Sequence, residues 1–208
     1  MLASTVSTGM LKAMAKTEGF HFEETLTGFK WLGNVAIELQ KKGFDTRYAF
    51  EEAIGYMFTE VVHDKDGVAA GTVLLNAIQH WRGEGLTPWS KLQQLYERYG
   101  YFENANSYFI SPSSSLTNTI FENIRTLGHP LPHPTSLGKR KILRWRDLTN
   151  GYDSATSDHM PLLPISRDSQ MITCELDDQV KFTVRGSGTE PKIKRMFHLL
   201  YFEPLLTP

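Results

Sequence analysis

The stretch of sequence that most limits how this chain can fold runs from residue 179 to residue 192. Val180, Phe182 and Val184 alternate with polar residues, and this period of two predicts a strand with one buried face. The strand leads directly into Gly-Ser-Gly-Thr-Glu-Pro-Lys, residues 186–192. Glycines allow the backbone to bend until several N–H groups converge, which is a geometry that binds anions. The pattern predicts a strand followed by a phosphate-binding turn, with ordinary turn chemistry as the alternative.

The side chains of this loop favour the phosphate interpretation. Arg185 supplies a guanidinium that can bind a phosphate through two hydrogen bonds. Ser187 and Thr189 supply hydroxyls, Gly188 supplies a backbone amide without a side chain, and Lys192 adds a second positive charge. Ser187 has no His or Asp in a local arrangement that would make it a nucleophile. We therefore expect a binding loop.

Composition excludes several classes of function. A net charge of -1 and a pI near 6.7 give no electrostatic reason to expect nucleic acid or an anionic membrane as a partner. The single cysteine, Cys174, excludes an intramolecular disulfide and is expected to be a core thiol. No apolar run is long enough to cross a bilayer, and the seven histidines show no metal-ligand spacing. These observations predict a cytoplasmic protein without a metal site of its own.

The order of predicted elements divides the chain near Gly83-Glu84-Gly85. Strands alternate with helices before this point, which predicts an α/β domain over residues 1–83. Strands and helices are more segregated after it, which predicts an α+β domain over residues 84–208. The predicted helices cover 7–16, 32–39, 66–81, 88–99 and 113–127, and the predicted strands cover 1–5, 46–50, 101–111, 139–147, 170–176, 180–185 and 192–200.

Four segments resemble segments of the α-D-phosphohexomutases, and they occur in the order that the family requires. Residues 185–192 match the family's phosphate loop, Arg-x-Ser-Gly-Thr-Glu-Pro-Lys, and residues 23–34, 49–56 and 64–67 match segments of its third domain. The forms of residues 23–34 and 49–56 look most like the type-2 phosphoglucomutase and phosphopentomutase branch. The resemblance covers roughly residues 1–195. It implies a partial third domain, a mixed sheet with helices, followed by a partial fourth domain, an antiparallel sheet with helices.

The resemblance also implies a function in carbohydrate metabolism. Such an isomerase moves a phosphate between C1 and C6 of glucose, or between C1 and C5 of ribose or deoxyribose, with a phosphoserine, Mg²⁺ and a sugar bisphosphate intermediate. Neither the family's Thr-Ala-Ser-His-Asn-Pro loop nor its Asp-x-Asp-x-Asp-Arg loop occurs in these 208 residues. We therefore expect no catalytic or metal-binding residue here, and an inactive isolated chain. The alternative is a non-catalytic sugar-phosphate-binding or regulatory fragment.

Site residues follow from the matched positions. The resemblance assigns phosphate binding to Arg185, Ser187, Gly188, Thr189 and Lys192. It assigns sugar binding to Glu51, Thr27, Gly28, Lys30 and Lys65. Glu51 and Glu52 would point to opposite faces of a strand, so a paired-carboxylate glycosidase is a weak rival interpretation.

Two positions depart from the family pattern. Ala53 stands where many relatives carry Ser, and this form leaves the choice between a hexose and a pentose substrate open. Gly186 stands where Thr, Ala or Pro is common. After Lys194 the resemblance decays, and residues 195–208 are short and apolar. We expect that segment to form an exposed sheet edge or tail.

Overall fold

The computed structural model describes residues 1–187 and 191–201. The chain forms two compact units, Met1–Phe102 and Glu103–Leu200. The elements of the first unit are β1 (Leu2–Ser4), α1 (Met10–Glu18), β2 (Glu23–Thr25), α2 (Phe29–Lys41), β3 (Tyr48–Glu51), β4 (Gly55–Phe58), α3 (Gly67–Gly83) and α4 (Pro88–Tyr99).

The sheet of the first unit is mixed. Its strand order among the described residues is β2-β1-β3-β4. β1 is parallel to both β2 and β3, whereas β4 returns antiparallel to β3. The α/β class expected for this part is confirmed. Strands β2 and β4 were absent from the sequence prediction because three or four residues are too few to show a clear alternation.

Helix α2 covers this sheet with one apolar face. Leu32, Ala36 and Leu39 recur at the spacing of a helical stripe, and all three are buried together with Leu2 and Met57. The same stripe was predicted from the sequence, and it is confirmed. Helix α2 begins at Phe29, directly after Gly28.

Side-chain caps define the starts of two other helices. The Asp66 carboxylate accepts hydrogen bonds from the backbone N–H groups of Val68 and Ala69, as expected for the cap of α3. Thr87 and Ser90 form a reciprocal capping box at the start of α4, with Pro88 in its first turn. The composition break near residue 83 therefore separates two helices of the first unit, and the predicted division into functional domains stays a prediction.

The second unit begins within an antiparallel sheet and holds one helix among its described residues. Its elements are β5 (Tyr101–Ile110), α5 (Ser114–Thr126), β6 (Ser136–Leu137), β7 (Arg140–Asp147), β8 (Tyr152–Asp153), β9 (Met171–Leu176), β10 (Val180–Gly186) and β11 (Lys192–Tyr201). The described strands follow the order β5-β11-β10-β9-β7-β6, and β8 pairs with β7.

The position of β11 corrects one expectation. Residues 195–201 are not a sheet edge, because β11 lies between β10 and β5. Met196 is consequently only 6% exposed, and Phe197 stacks on Phe182. Residues 202–208, the rest of the expected tail, lie outside the described part of the chain.

The core of the second unit lies between α5 and the sheet. Phe121 of α5 is fully buried, and it belongs to the same cluster as Trp145, Ile172 and Val184. Val180 and Val184 face this core from β10, as the alternation predicted. The prediction of only one buried face was wrong, because Thr183 on the other face is fully buried as well. The position of α5 matters for function because its first turn adjoins the end of β10.

Candidate functional site

The first group of candidate residues lies where three parallel strands end. Because β1, β2 and β3 run in the same direction, their carboxyl ends share one edge of the sheet. Polar residues stand at or just after each end. We call this set the strand-end cluster: Thr5 and Ser7 after β1, Thr27 and Gly28 after β2, and Glu51 at the end of β3.

Hydrogen bonds hold the strand-end cluster together. The N–H of Gly28 donates to Glu51 Oε1 over 2.6 Å, which ties the carboxylate to the turn before α2. The backbone N–H of Glu52 donates to Ser7 Oγ over 3.0 Å, and the Ser7 hydroxyl also meets that of Ser4 at 2.8 Å. Glu51 is half-buried, so its carboxylate is held in place without being sealed from ligand.

The two lysines assigned from the resemblance lie near this edge but differ in setting. Lys65 is exposed, and its Nζ lies 5.7 Å from the centroid of the Phe29 ring, within the range of a cation–π contact. Phe29 directly follows Gly28, so Lys65 lies beside the cluster. Lys30 is exposed in the first turn of α2. The binding roles of Glu51, Thr27, Gly28, Lys30 and Lys65 remain predictions.

Sequence reasoning did not single out Thr5 and Ser7. Thr5 Oγ1 donates to the Glu24 carboxylate, and Ser7 is only 5% exposed. We expected Ser7 to begin a helix, but α1 begins at Met10 because residues 5–9 form the turn after β1. The available signal was the hydroxyl-rich run that directly follows a strand.

The second candidate site is a cavity of about 350 Å³ in the second unit, here called the α5 cavity. Its wall combines the loop after β10 with the N-terminal turns of α5 and the segment before β9. The lining residues used below are Ser113, Asn118, Asp168, Gln170, Ser187 and Lys192.

The start of α5 gives this cavity positive character. Ser113 is the N-cap, and its Oγ accepts from the N–H of Leu116 over 3.1 Å. The first N–H groups of a helix have no intrahelical acceptor and point outward with a partial positive charge. Ser114, in the first turn, also lines the cavity. This end of α5 is therefore electrostatically suited to an anion.

One backbone hydrogen bond closes the neck of the loop, and another ties the end of β10 to the segment before β9. The N–H of Gly186 donates to the Gln170 carbonyl, and the N–H of Ser187 donates to the Lys192 carbonyl, both over 2.9 Å. Lys192 Nζ also lies 4.5 Å from the centroid of the Tyr108 ring. Ser187 and Lys192 thereby flank the opening of the loop at fixed positions.

The structure brings only part of the assigned phosphate set to this cavity. Ser187 and Lys192 line it, whereas Gly188 and Thr189 lie outside the described residues. Arg185 is not among the described lining residues. It follows Val184 in β10, so its side chain leaves the face of the sheet opposite the α5 core. Its phosphate contact remains a prediction.

A buried ion pair supports the cavity wall. Arg125 Nε donates to Asp147 Oδ2 over 2.6 Å, and Arg125 Nη2 donates to Gln170 Oε1 over 2.7 Å. Burial of the guanidinium favours its neutral form, yet the hydrogen bond and charge of Asp147 leave the pKa of Arg125 above its ordinary value. Gln170 Nε2 then donates to Asn118 Oδ1 over 3.0 Å.

Neither the cysteine nor the metal-ligating residue types supply a further site among residues 1–187 and 191–201. Cys174 is 5% exposed, and burial raises the pKa of its thiol to about 12, so the expected core thiol is confirmed. No group of three His, Cys, Asp or Glu side chains in the described part of the chain is placed to hold a metal ion. No described helix has the length and apolarity needed to cross a membrane.

Comparison with known proteins places this geometry in a family. Residues 1–99 match the family model described as phosphoglucomutase/phosphomannomutase, alpha/beta/alpha domain III. The chain is 47% identical to the phosphoribomutase of Saccharomyces cerevisiae over 93% of its length, and 44% identical to the phosphopentomutase of Homo sapiens over its whole length. It is also 44% identical to the Homo sapiens glucose 1,6-bisphosphate synthase over 93% of its length.

A solved structure supports the fold. The open form of the phosphoprotein pp63/parafusin, a phosphoglucomutase from Paramecium, aligns with the whole chain at a TM-score of 0.65 and 18% identity. This chain corresponds to 34% of that structure, and it spans 33% of the yeast phosphoribomutase and of the human phosphopentomutase. The chain belongs to the phosphohexomutase family, of which it represents domain III and the region that follows.

Proposed function

We propose that this chain carries the sugar-binding and phosphate-binding parts of a phosphopentomutase- or phosphoglucomutase-type phosphotransferase. The observation that carries the proposal is the α5 cavity. Ser187 and Lys192, two residues of the loop that resembles the family's phosphate loop, line it together with the first turn of a helix. An anion-binding helix start and a hydroxyl at one cavity suit a phosphate ester.

The strand-end cluster supplies the second half of the proposal. The carboxylate of Glu51 can accept hydrogen bonds from sugar hydroxyls, because its contact with Gly28 N–H uses only part of its acceptor capacity. Ligands of sheets with parallel strands generally bind beyond the carboxyl ends of those strands. Under the proposal this cluster distinguishes sugars, and the loop at residues 185–192 holds the phosphate that is not being transferred.

The reacting groups of the family lie outside this proposal. The sequence contains neither the serine loop nor the aspartate loop quoted above, and the described residues offer no ligand set that fits Mg²⁺. The role proposed for this chain is therefore to bind and orient a cytoplasmic phosphosugar. Transfer of the phosphate would require groups that these 208 residues do not supply, so the isolated chain is expected to bind without turnover.

Calorimetric titration with glucose 1,6-bisphosphate tests the proposal. We expect saturable binding by the wild-type chain. Arg185 leaves the opposite face of β10 close to the strand end, and under the proposal its guanidinium reaches round that end to the phosphate. Arg185→Ala should therefore lose roughly 10–150-fold in affinity, because a hydrogen bond to a charged group contributes about 1.5–3 kcal/mol. A folded wild-type chain that binds no sugar bisphosphate at millimolar concentration contradicts the proposal.

A matched charge control separates a specific contact from a general loss of positive charge. Arg140 is the first residue of β7 and forms an ion pair with Asp178 on the surface. Arg140→Ala removes the same charge and is expected to leave the dissociation constant within about twofold, since exposed charges are strongly screened. Equal losses in the two variants would show that the binding is non-specific.

The alternative function is a sugar-phosphate-binding or regulatory fragment without any catalytic part. Both functions share the binding step, so titration alone does not separate them. Adding the chain to a phosphopentomutase reaction does: an effect on the rate that Arg185→Ala abolishes favours a regulatory role. Substitution of ribose 1,5-bisphosphate in the titration reports whether a pentose or a hexose is preferred.

A further inference from the structure

Two amide side chains in the wall of the α5 cavity have their orientation imposed by a buried cation. Arg125 Nη2 donates to Gln170 Oε1 over 2.7 Å, and Gln170 Nε2 donates to Asn118 Oδ1 over 3.0 Å. Gln170 and Asn118 both line the cavity. We call this series of hydrogen bonds, from Arg125 through Gln170 to Asn118, the amide relay.

The direction of the amide relay follows from the chemistry of its first member. A guanidinium has donors and no acceptor, so Gln170 must turn its oxygen towards Arg125. The amide nitrogen of Gln170 then meets Asn118, which must offer its own oxygen in return. The remaining group of Asn118 is its NH₂, a donor with two hydrogens. The relay thereby fixes which end of each amide is a donor, without any contribution from ligand.

Gln170, the central residue of the relay, is held both through its side chain and through its backbone. The side chains of Arg125 and Asp147 are only 10% and 3% exposed, and their hydrogen bonds hold the guanidinium in one place. The backbone carbonyl of Gln170 accepts from Gly186 N–H over 2.9 Å, which ties the relay to the start of the phosphate-loop segment. Asn118, in contrast, is exposed and lies in the second turn of α5.

We propose that Asn118 is a binding residue that donates its side-chain N–H to a phosphate oxygen in the α5 cavity, and that Gln170 is the positioning residue that aims it. This inference rests on the proposed function, because it takes the ligand of the cavity to be a sugar phosphate. Orientation before binding lowers the entropic cost of the contact.

The first test compares two isosteric variants on one helix. Asn118→Asp keeps an acceptor for Gln170 but replaces the donor with a negative charge, and we expect about 10–100-fold weaker binding of glucose 1,6-bisphosphate. Asn123→Asp makes the same change at an exposed position of α5 that does not line the cavity. It is expected to change affinity by no more than about twofold.

A double-mutant cycle tests whether Gln170 acts through Asn118. We expect Asn118→Ala to weaken binding about tenfold and Gln170→Ala to weaken it about three- to tenfold. In the Asn118→Ala background, Gln170→Ala should have no further effect on the dissociation constant, because the group that it aims is already absent. A merely structural role would lower the unfolding midpoint and weaken binding equally in both backgrounds.

The outcomes separate this inference from the proposed function. If wild type binds, Arg185→Ala loses binding and Asn118→Asp does not, the phosphate site stands and the role of Asn118 is wrong. If the two single variants lose affinity but their effects are additive, Gln170 does not position Asn118. If the folded wild-type chain binds no sugar bisphosphate, the proposed function and this inference are both overturned.

Discussion

The two candidate regions are built in different ways, although both use polar side chains at the ends of strands. In the strand-end cluster, parallel strands bring together residues that are far apart in sequence, and Gly28 contacts Glu51 directly. In the α5 cavity, the neck of one loop is closed on itself and a helix start faces it. The first region depends on sheet topology, whereas the second depends on how α5 packs.

This difference shows which contacts each region needs in order to exist. The strand-end cluster keeps its shape as long as α2 covers the sheet, because Gly28 immediately precedes that helix. The α5 cavity keeps its shape only as long as Phe121 anchors α5 to the second sheet. Each region therefore has one packing contact whose loss should abolish the site without removing any binding group.

The largest effect is expected for Phe121→Ala. Phe121 is fully buried, and truncation of a buried Phe costs about 3–5 kcal/mol in the free energy of unfolding. Urea denaturation in which the alkylation of Cys174 is the readout measures the opening of this core specifically. Burial raises the pKa of that thiol to about 12, so the native state should react very slowly at pH 8.

Leu116→Ala is the control on the same helix, because Leu116 is 42% exposed. It is expected to cost roughly 1 kcal/mol or less. Rapid alkylation of Cys174 in the native wild-type chain, or equal losses for the two variants, would contradict the view that Phe121 holds α5 in place.

A smaller effect is expected for Gly33→Ala in the first unit. A Cβ at Gly33 would lie 2.4 Å from the carbonyl oxygen of His63, so α2 or the segment after β4 must shift. Overpacking of this kind costs about 1–3 kcal/mol. Thermal or urea unfolding of the variant measures it.

Gly71→Ala in α3 is the matched control, because nothing lies within 4 Å of the added Cβ. Alanine is the better helix former, so this variant should be more stable by about 0.5–1 kcal/mol. If both variants move stability in the same direction, close packing of α2 is not the reason that residue 33 is glycine.

The smallest effect concerns the charge balance of the α5 cavity. Asp168→Asn removes a carboxylate that lines the proposed phosphate site, and it should tighten binding of glucose 1,6-bisphosphate about two- to fivefold at low salt. Asp178→Asn removes the same charge outside the cavity and should have little effect. Weaker binding by Asp168→Asn would indicate that this carboxylate contacts the sugar or orders the loop.

Much of the local structure was readable from the sequence. Asp66, Pro88 and the serines at 113–115 correctly marked three helix starts, because capping and the fixed φ of proline are local effects. The alternation over residues 180–184 correctly placed Val180 and Val184 on a core face of β10, but it did not show that Thr183 on the other face is buried too. Strands β2, β4, β6 and β8 and the position of β11 were missed, because pairing partners are decided by distant segments.

The candidate sites were readable only in part. The loop at residues 185–192 and Glu51 stand out through their match to a known family, whereas Ser7, Asn118 and Gln170 carry no local signal of function. Ser7 belongs to the strand-end cluster because it accepts a hydrogen bond from Glu52 N–H, and Gln170 belongs to the amide relay because it accepts one from Arg125. These contacts span 45 residues each, and no motif of ordinary length includes both partners.

The sequence by itself determined the family, the fold classes of the two parts, the helix starts and the chemical character of the loop at residues 185–192. These properties depend on neighbouring residues, through backbone preferences, capping and side-chain alternation. Only the tertiary structure decided that Ser187 and Lys192 share a cavity with the start of α5, and that a buried guanidinium orients the amides in its wall. The reason is physical: helix and sheet packing sets which distant donors and acceptors come within hydrogen-bonding distance.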